Sequence, residues 1–373
     1  MDRVAQRLQV KAERVAAWEQ GSRPPTMRQV QELARFYHRP MSVFFLSTPP
    51  QLPPLSAEYR RLPGVESGRE SPELRLALRQ MISRRENMLN LLGELGEPVH
   101  EFRLQARLDE NPEAVGRRLR EALKVEVAAQ LNWPSEWRAW HVWRASVEDL
   151  GALVFQFSKV TLAEARGLSL LRFPLPVAAV SSKEQPGPKS YTLLHEVVHL
   201  MLAAGREEEP ALKERRHGEQ WAAVERFAEA AASHALVPEN ALVAEIRSNG
   251  LPKNGWDIGD VRQLARRFRV SPLAMATRLR ASGFMDWSCY NDWKRGWDNY
   301  VATLKPRPGG FAHPVDLALS RNGRPYVQLV LEALGSNRIT AVDAARFIDL
   351  KYEHFEKLRD AMIVEPGRGD ADE

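Results

Sequence analysis

The chain has 373 residues, 44% of them hydrophobic and 27% charged, which suits a globular protein of two or three domains and excludes a largely disordered one. Lys and Arg exceed Asp and Glu by five charges, too few to argue for nucleic-acid binding across the whole surface. A single cysteine, Cys289, excludes an intramolecular disulfide and a cysteine-built zinc site; with no run of ~20 apolar residues and a polar N-terminus, the expectation is a cytoplasmic chain without a membrane span.

Residues 2–46 read as short helices. Val4, Ala5 and Leu8 share one face, and the pattern breaks at Gln9-Val10 before Val15, Ala16 and Trp18. Gly21 ends that second helix, and Pro24-Pro25-Thr26 opens a third, striped by Val30, Leu33, Ala34 and Tyr37. Four prolines in 47–57 mark an extended linker. Helical periodicity returns over 73–95 and again over 112–145. Within 151–182, Leu153-Val154-Phe155 and Val177-Ala178-Ala179-Val180 have the continuous apolar character of buried strands. Residues 191–204 and 219–237 are helical, and the charged stretch 205–219 between them reads as a loop. Two helices joined by Arg269-Val270-Ser271-Pro272 fill 258–283. Residues 286–313 are rich in aromatics, Gly and Pro, 324–362 are mainly helical, and the chain ends in an acidic tail.

The most informative local pattern is His195-Glu196-Val197-Val198-His199 within SYTLLHEVVHLML. On a helix, positions four apart lie on one face, so two imidazoles can grip one divalent cation from adjacent turns. Zinc brings the pKa of a water it holds towards ~7, and the intervening glutamate can take the proton. The apolar residues around the motif predict a buried helix. A third ligand must come from another element, because no histidine follows within 200–205. The following helix offers Glu225 and Glu229, four apart on one face, in an Ala-rich setting that lets two helices approach closely. His217 and His234 are further candidates.

Several stretches together resemble the ImmA/IrrE family of metallopeptidases in its form with an N-terminal Xre-type helix-turn-helix. They are SYTLLHEVVHLML, the Ala-rich VERFAEAAASHALVP, the strand region GALVFQFSKVTLAEARGLSLLRFPLPVAAVSS, the N-terminal AAWEQGSRPPTMRQVQELARFYHRPMSVFFLSTPP, and the C-terminal LALSRNGRPYVQLVLEAL. The resemblance implies an α+β, mainly helical chain. A helix-turn-helix module over 1–50, without that module's usual first helix, would be followed by a Pro-rich linker over 51–72. A zincin-like metallopeptidase domain with a small sheet would occupy 73–250, and a helical region 251–373. It implies His195, His199 and Glu225 as metal ligands, Glu196 as general base, and Zn2+ or Mn2+ as the metal. Glu229 stands where the family usually has asparagine, and Arg166-Gly167 matches the family's Arg-Gly pair. The implied activity is cleavage of a regulatory protein, typically a helix-turn-helix repressor. Such a substrate would be bound as an extended strand along Val177–Ser181, with Tyr191 and His234 as candidate oxyanion donors.

The alternative reading is a DNA-binding transcriptional regulator whose peptidase domain acts as a sensor or has lost turnover. Residues 1–50 hold eight Arg or Lys and four Asp or Glu, and a recognition helix over 11–20 would present Lys11 and Arg14 to DNA.

Overall fold

The computed structural model describes residues 2–37, 41–48, 70–205, 219–252, 255–304 and 312–363. Most of the expected Pro-rich linker, the charged stretch 206–218 with His217, and the acidic tail lie outside the described residues.

Three helices form the N-terminal part: α1 (Asp2–Leu8), α2 (Ala12–Glu19) and α3 (Met27–Phe36). Gln9, in the left-handed region at φ 52°, turns the chain between the first two. Thr26 caps α3 in a reciprocal pair with Gln29. Val4, Ala5, Val15 and Leu33 form a small core of their own here.

The remainder is α+β and mainly helical. The next elements are α4 (Pro72–Leu95), α5 (Pro112–Ala122), α6 (Val127–Leu131) and α7 (Glu136–Glu148). The helical pattern expected over 112–145 is thus three helices. Lys124 at φ 54° ends the first of them, and Pro134, which lacks an N–H, separates the second from the third. The strands are β1 (Leu153–Phe157), β2 (Gly167–Leu170) and β3 (Val177–Ser181), followed by α8 (Pro186–Ala204) and α9 (Glu219–Leu236). Then come α10 (Glu239–Ser248), α11 (Ile258–Phe268), α12 (Pro272–Ala281), α13 (Trp287–Thr303), α14 (Pro314–Asn322), α15 (Arg324–Gly335), α16 (Ala341–Ile348) and α17 (Phe355–Ile363). The aromatic stretch after 286 is therefore largely helical. Asp286 caps it, and its prolines fall only at 306 and 308. Trp293 is buried and stacked on Trp297, whereas Trp287 is exposed.

The sheet has the order β1-β3-β2, with β1 parallel and β2 antiparallel to β3. Side chains alternate between its faces. Leu153, Phe155, Leu168, Leu170, Val177 and Ala179 share one core with α4 and α14–α17. Val154, Ala178 and Val180 share the other with α5, α7, α8, α9, α11 and α12. The α8-facing positions of β2 and β3 include Gly167, Ser169 and Ala178, all small, so α8 lies close to the sheet. The central position of β3 corrects the expectation that Val177–Ser181 receives a substrate strand. Its hydrogen-bonding edges are taken by β1 and β2, and the terminal strand beside α8 is β2.

Candidate metal centre

The metal-binding pattern falls on α8, which runs well past the stretch expected from 191 because Pro186 occupies its first turn. Leu193, Leu194, Val197, Val198, Leu200 and Met201 are all completely buried. The helix is held by apolar contacts on most sides, and its polar residues project into two places. His195 and His199 face α9, while Glu196, about 100° round the helix, faces the sheet.

The two imidazole Nε2 atoms are 3.2 Å apart. Glu225, on α9, brings one carboxylate oxygen to 3.5 Å from His195 Nε2 and the other to 4.0 Å from His199 Nε2. These three donors form the single metal-holding group found among the described residues. Donors at ~2.0–2.1 Å from a tetrahedral ion stand about 3.3 Å from one another, so the triangle fits one small divalent cation with little movement. Neutral nitrogens with one carboxylate suit zinc and related transition metals better than calcium or magnesium, which prefer all-oxygen shells. His199 has no exposed side-chain surface, whereas His195 and Glu225 each retain about a seventh, so the centre opens on the side of those two. His195 Nδ1 is buried with no hydrogen-bond partner.

Tyr191, one turn before His195, stacks on its ring with centroids 6.2 Å apart. Burial, then the charges of Glu229 and Glu225, push its phenol well above the ordinary tyrosine range, so it stays a hydroxyl. The sequence left Glu229 level with Glu225 as a ligand, and the fold separates them: Glu229 is exposed and outside the donor triangle. His234 lies nine residues beyond Glu225 on the same helix, roughly 13 Å along its axis, and lines a separate cavity of about 360 Å³ with Arg120 and Glu239. That removes it as an oxyanion donor at this centre.

On the sheet side, the Glu196 carboxylate accepts a short hydrogen bond from the Ser169 hydroxyl of β2, and the same hydroxyl lies 3.4 Å from the Glu196 carbonyl oxygen. One turn earlier, Thr192 donates to Glu184 at 2.8 Å, and Arg166 donates to the other oxygen of Glu184 at 3.0 Å. Burial raises the Glu184 carboxyl above its usual range, and these two donors oppose the rise. Sequence reasoning noted Arg166-Gly167 but missed Ser169. The available signal was small residues at alternate positions of Gly-Leu-Ser-Leu, in a strand too short to stand out by apolar character.

Lys11 is exposed at the N-cap of α2, and Arg14 is partly buried with its Nε enclosed and unpaired.

A small sheet with an antiparallel terminal strand, backed by a helix that offers two histidines to a glutamate on the next, is the architecture of a zincin-like metallopeptidase. Residues 147–280, a little over a third of the chain, match the IrrE N-terminal-like domain of the Peptidase_M78 family, which supports an ImmA/IrrE-type peptidase and spans the sheet, the donor triangle and α10–α12. No curated protein matches the chain.

Proposed function

We propose that the protein is a metal-dependent endopeptidase that cleaves a regulatory protein, in the first instance a helix-turn-helix repressor, in the cytoplasm. The observation that carries this reading is the convergence of His195, His199 and Glu225 at tetrahedral spacing beside a buried Glu196. His195, His199 and Glu225 would hold the ion, with Zn2+ the first choice and Mn2+ the second. When bound, it would supply Lewis acidity, polarising a peptide carbonyl and acidifying water. Glu196 would take the proton of the attacking water and hand it to the leaving amine. Tyr191, kept protonated beside His195, can donate a hydrogen bond to the oxygen that gains charge.

The test is Glu196→Gln. It should bind zinc with unchanged stoichiometry and lose cleavage of a helix-turn-helix repressor encoded beside this protein by ~10²-fold or more, the usual scale of general-base catalysis. Cleavage that persists in this variant removes the mechanism.

The self-contained core of α1–α3 keeps a second reading open, that of a DNA-binding regulator contacting DNA through Lys11 and Arg14. A nuclease footprint that survives removal of metal and is lost in Lys11→Glu would favour it. Absence of any footprint would leave α1–α3 as a protein-docking module.

A further inference from the structure

The terminal strand does more than border the site. Gly167 and Ser169 are alternate residues of β2, so both face α8, while Leu168 and Leu170 enter the opposite core. The Ser169 hydroxyl binds the Glu196 carboxylate at Oε2. Position 167 supplies the complementary half. A Cβ placed on Gly167 would stand 2.4 Å from Glu196 Oε1, 2.9 Å from its carboxyl carbon and 2.7 Å from the Thr192 methyl. No side-chain carbon fits there unless the carboxylate moves. One oxygen of Glu196 accepts from a hydroxyl of β2, and the other lies close to the Gly167 backbone of the same strand. Glu196 is 2% exposed, so its protein surroundings, β2 among them, determine where the carboxylate sits.

We propose that Gly167 and Ser169 are positioning residues that set the place of the Glu196 carboxylate. The bond from Ser169 fixes its rotation and the missing Cβ at 167 fixes its depth. This rests on Glu196 being the base for any consequence in turnover, but the placement itself is independent of that reading. It also gives the Gly of the Arg-Gly pair a task distinct from that of Arg166, whose side chain is engaged by Glu184.

The experiment uses the zinc-loaded full-length chain as wild type, Ser169→Ala, Ser169→Thr and Gly167→Ala. Crystal structures read the Glu196 carboxylate position, elemental analysis reads zinc, and a proteome-derived peptide library reads kcat and KM. Ser169→Ala removes the one hydroxyl that bonds Glu196 without adding bulk, so it tests the idea even if Gly167→Ala folds poorly. The expected result is a carboxylate displaced by about 1 Å or more in Ser169→Ala and Gly167→Ala, one zinc per chain in every variant, kcat lowered by about 10–100-fold with KM within about 2-fold, and recovery in Ser169→Thr. A carboxylate that stays in place in Ser169→Ala overturns the proposal whatever the turnover does. A displaced carboxylate with unchanged kcat bears out the placement and overturns Glu196 as the base. If the carboxylate moves while wild type cuts no peptide, the positioning role stands and the peptidase reading is the one that fails.

Discussion

Lys189 stands near the start of α8, where the residue is 2% exposed. It donates to Gln156 Oε1 on β1 at 3.0 Å and lies 5.3 Å from the ring centroids of both Trp137 and Trp140. One hydrogen bond and two ring faces replace part of its hydration. Burial, followed by the charge of Arg144, lowers its pKa to about 8, against the partial opposition of Glu184. The unfolded chain holds this proton to ~10.4. Between pH 8 and about 10.4 the unfolded state therefore binds more protons at this site, and stability rises with pH across that window. Below pH 8 the cost of burying the charge is fully present. Relative to Lys189→Met, the wild type should gain roughly 2–3 kcal/mol between pH 7.5 and 10, read from urea unfolding of both proteins at each pH. A difference that is flat with pH would mean that the ammonium keeps an ordinary pKa in the fold.

The spacing of the two histidines needs only a helix to be right, and α8 is strongly signalled by its apolar surroundings. The glutamate depends on how a second helix docks. The Ala-rich composition of α9 shows that something comes close to it without saying what. In the fold α5 approaches it closely: a Cβ on Gly116 would meet the Ala231 carbonyl oxygen at 2.6 Å, His234 Cβ at 2.8 Å and Ala235 N at 2.9 Å. α9 is thus clamped between α5 and α8, and its height along α8 is set partly at Gly116. Gly116→Ala gains up to ~1 kcal/mol of helix propensity but forces backbone atoms apart, a cost of ~1–3 kcal/mol that grows with stiffness. With two backbone atoms within 3 Å the clash should prevail. The variant should have a lower Tm, and the displaced α9 should carry Glu225 away from the histidines and weaken zinc at least ~10-fold in a chelator competition. Unchanged zinc affinity with a lowered Tm would show that the triangle tolerates movement of α9. The same dependence on docking explains what sequence reading could reach. The strands β1 and β3 and the ligands of α8 follow from local pattern. The four-residue β2 has only Leu168 and Leu170 to mark it, yet it supplies Ser169 and Gly167. The helix α13 was masked by aromatic residues that also suit irregular chain.

The sheet is narrow, and both of its faces are closed by helices. The α8 side is covered by elements within or next to the matched residues 147–280. The other side is covered by α4 and by α14–α17, which lie outside that match. Leu153, Phe155 and Val177 are no more than 4% exposed beneath them. Uncovering three such side chains costs about 5–9 kcal/mol at ~1.5–3 kcal/mol each, comparable to the ~5–15 kcal/mol stability of a whole domain. A chain cut after residue 281 should therefore fail to fold cooperatively, although it retains His195, His199, Glu196 and Glu225. Polar ties cross the same boundary: Arg144 donates to the Ser320 carbonyl oxygen at 2.7 Å, and Gln156 donates to the Ser320 hydroxyl at 2.8 Å. Removing residues 1–69 is the opposite case, because the described part of that segment gathers Val4, Ala5, Val15 and Leu33 into a core of its own. That deletion should leave Tm within a few degrees and zinc at one per chain. Calorimetry of the two truncations side by side decides the matter: a sharp, unshifted transition in the chain ending at 281 would mean that the C-terminal helices decorate the peptidase fold instead of completing it.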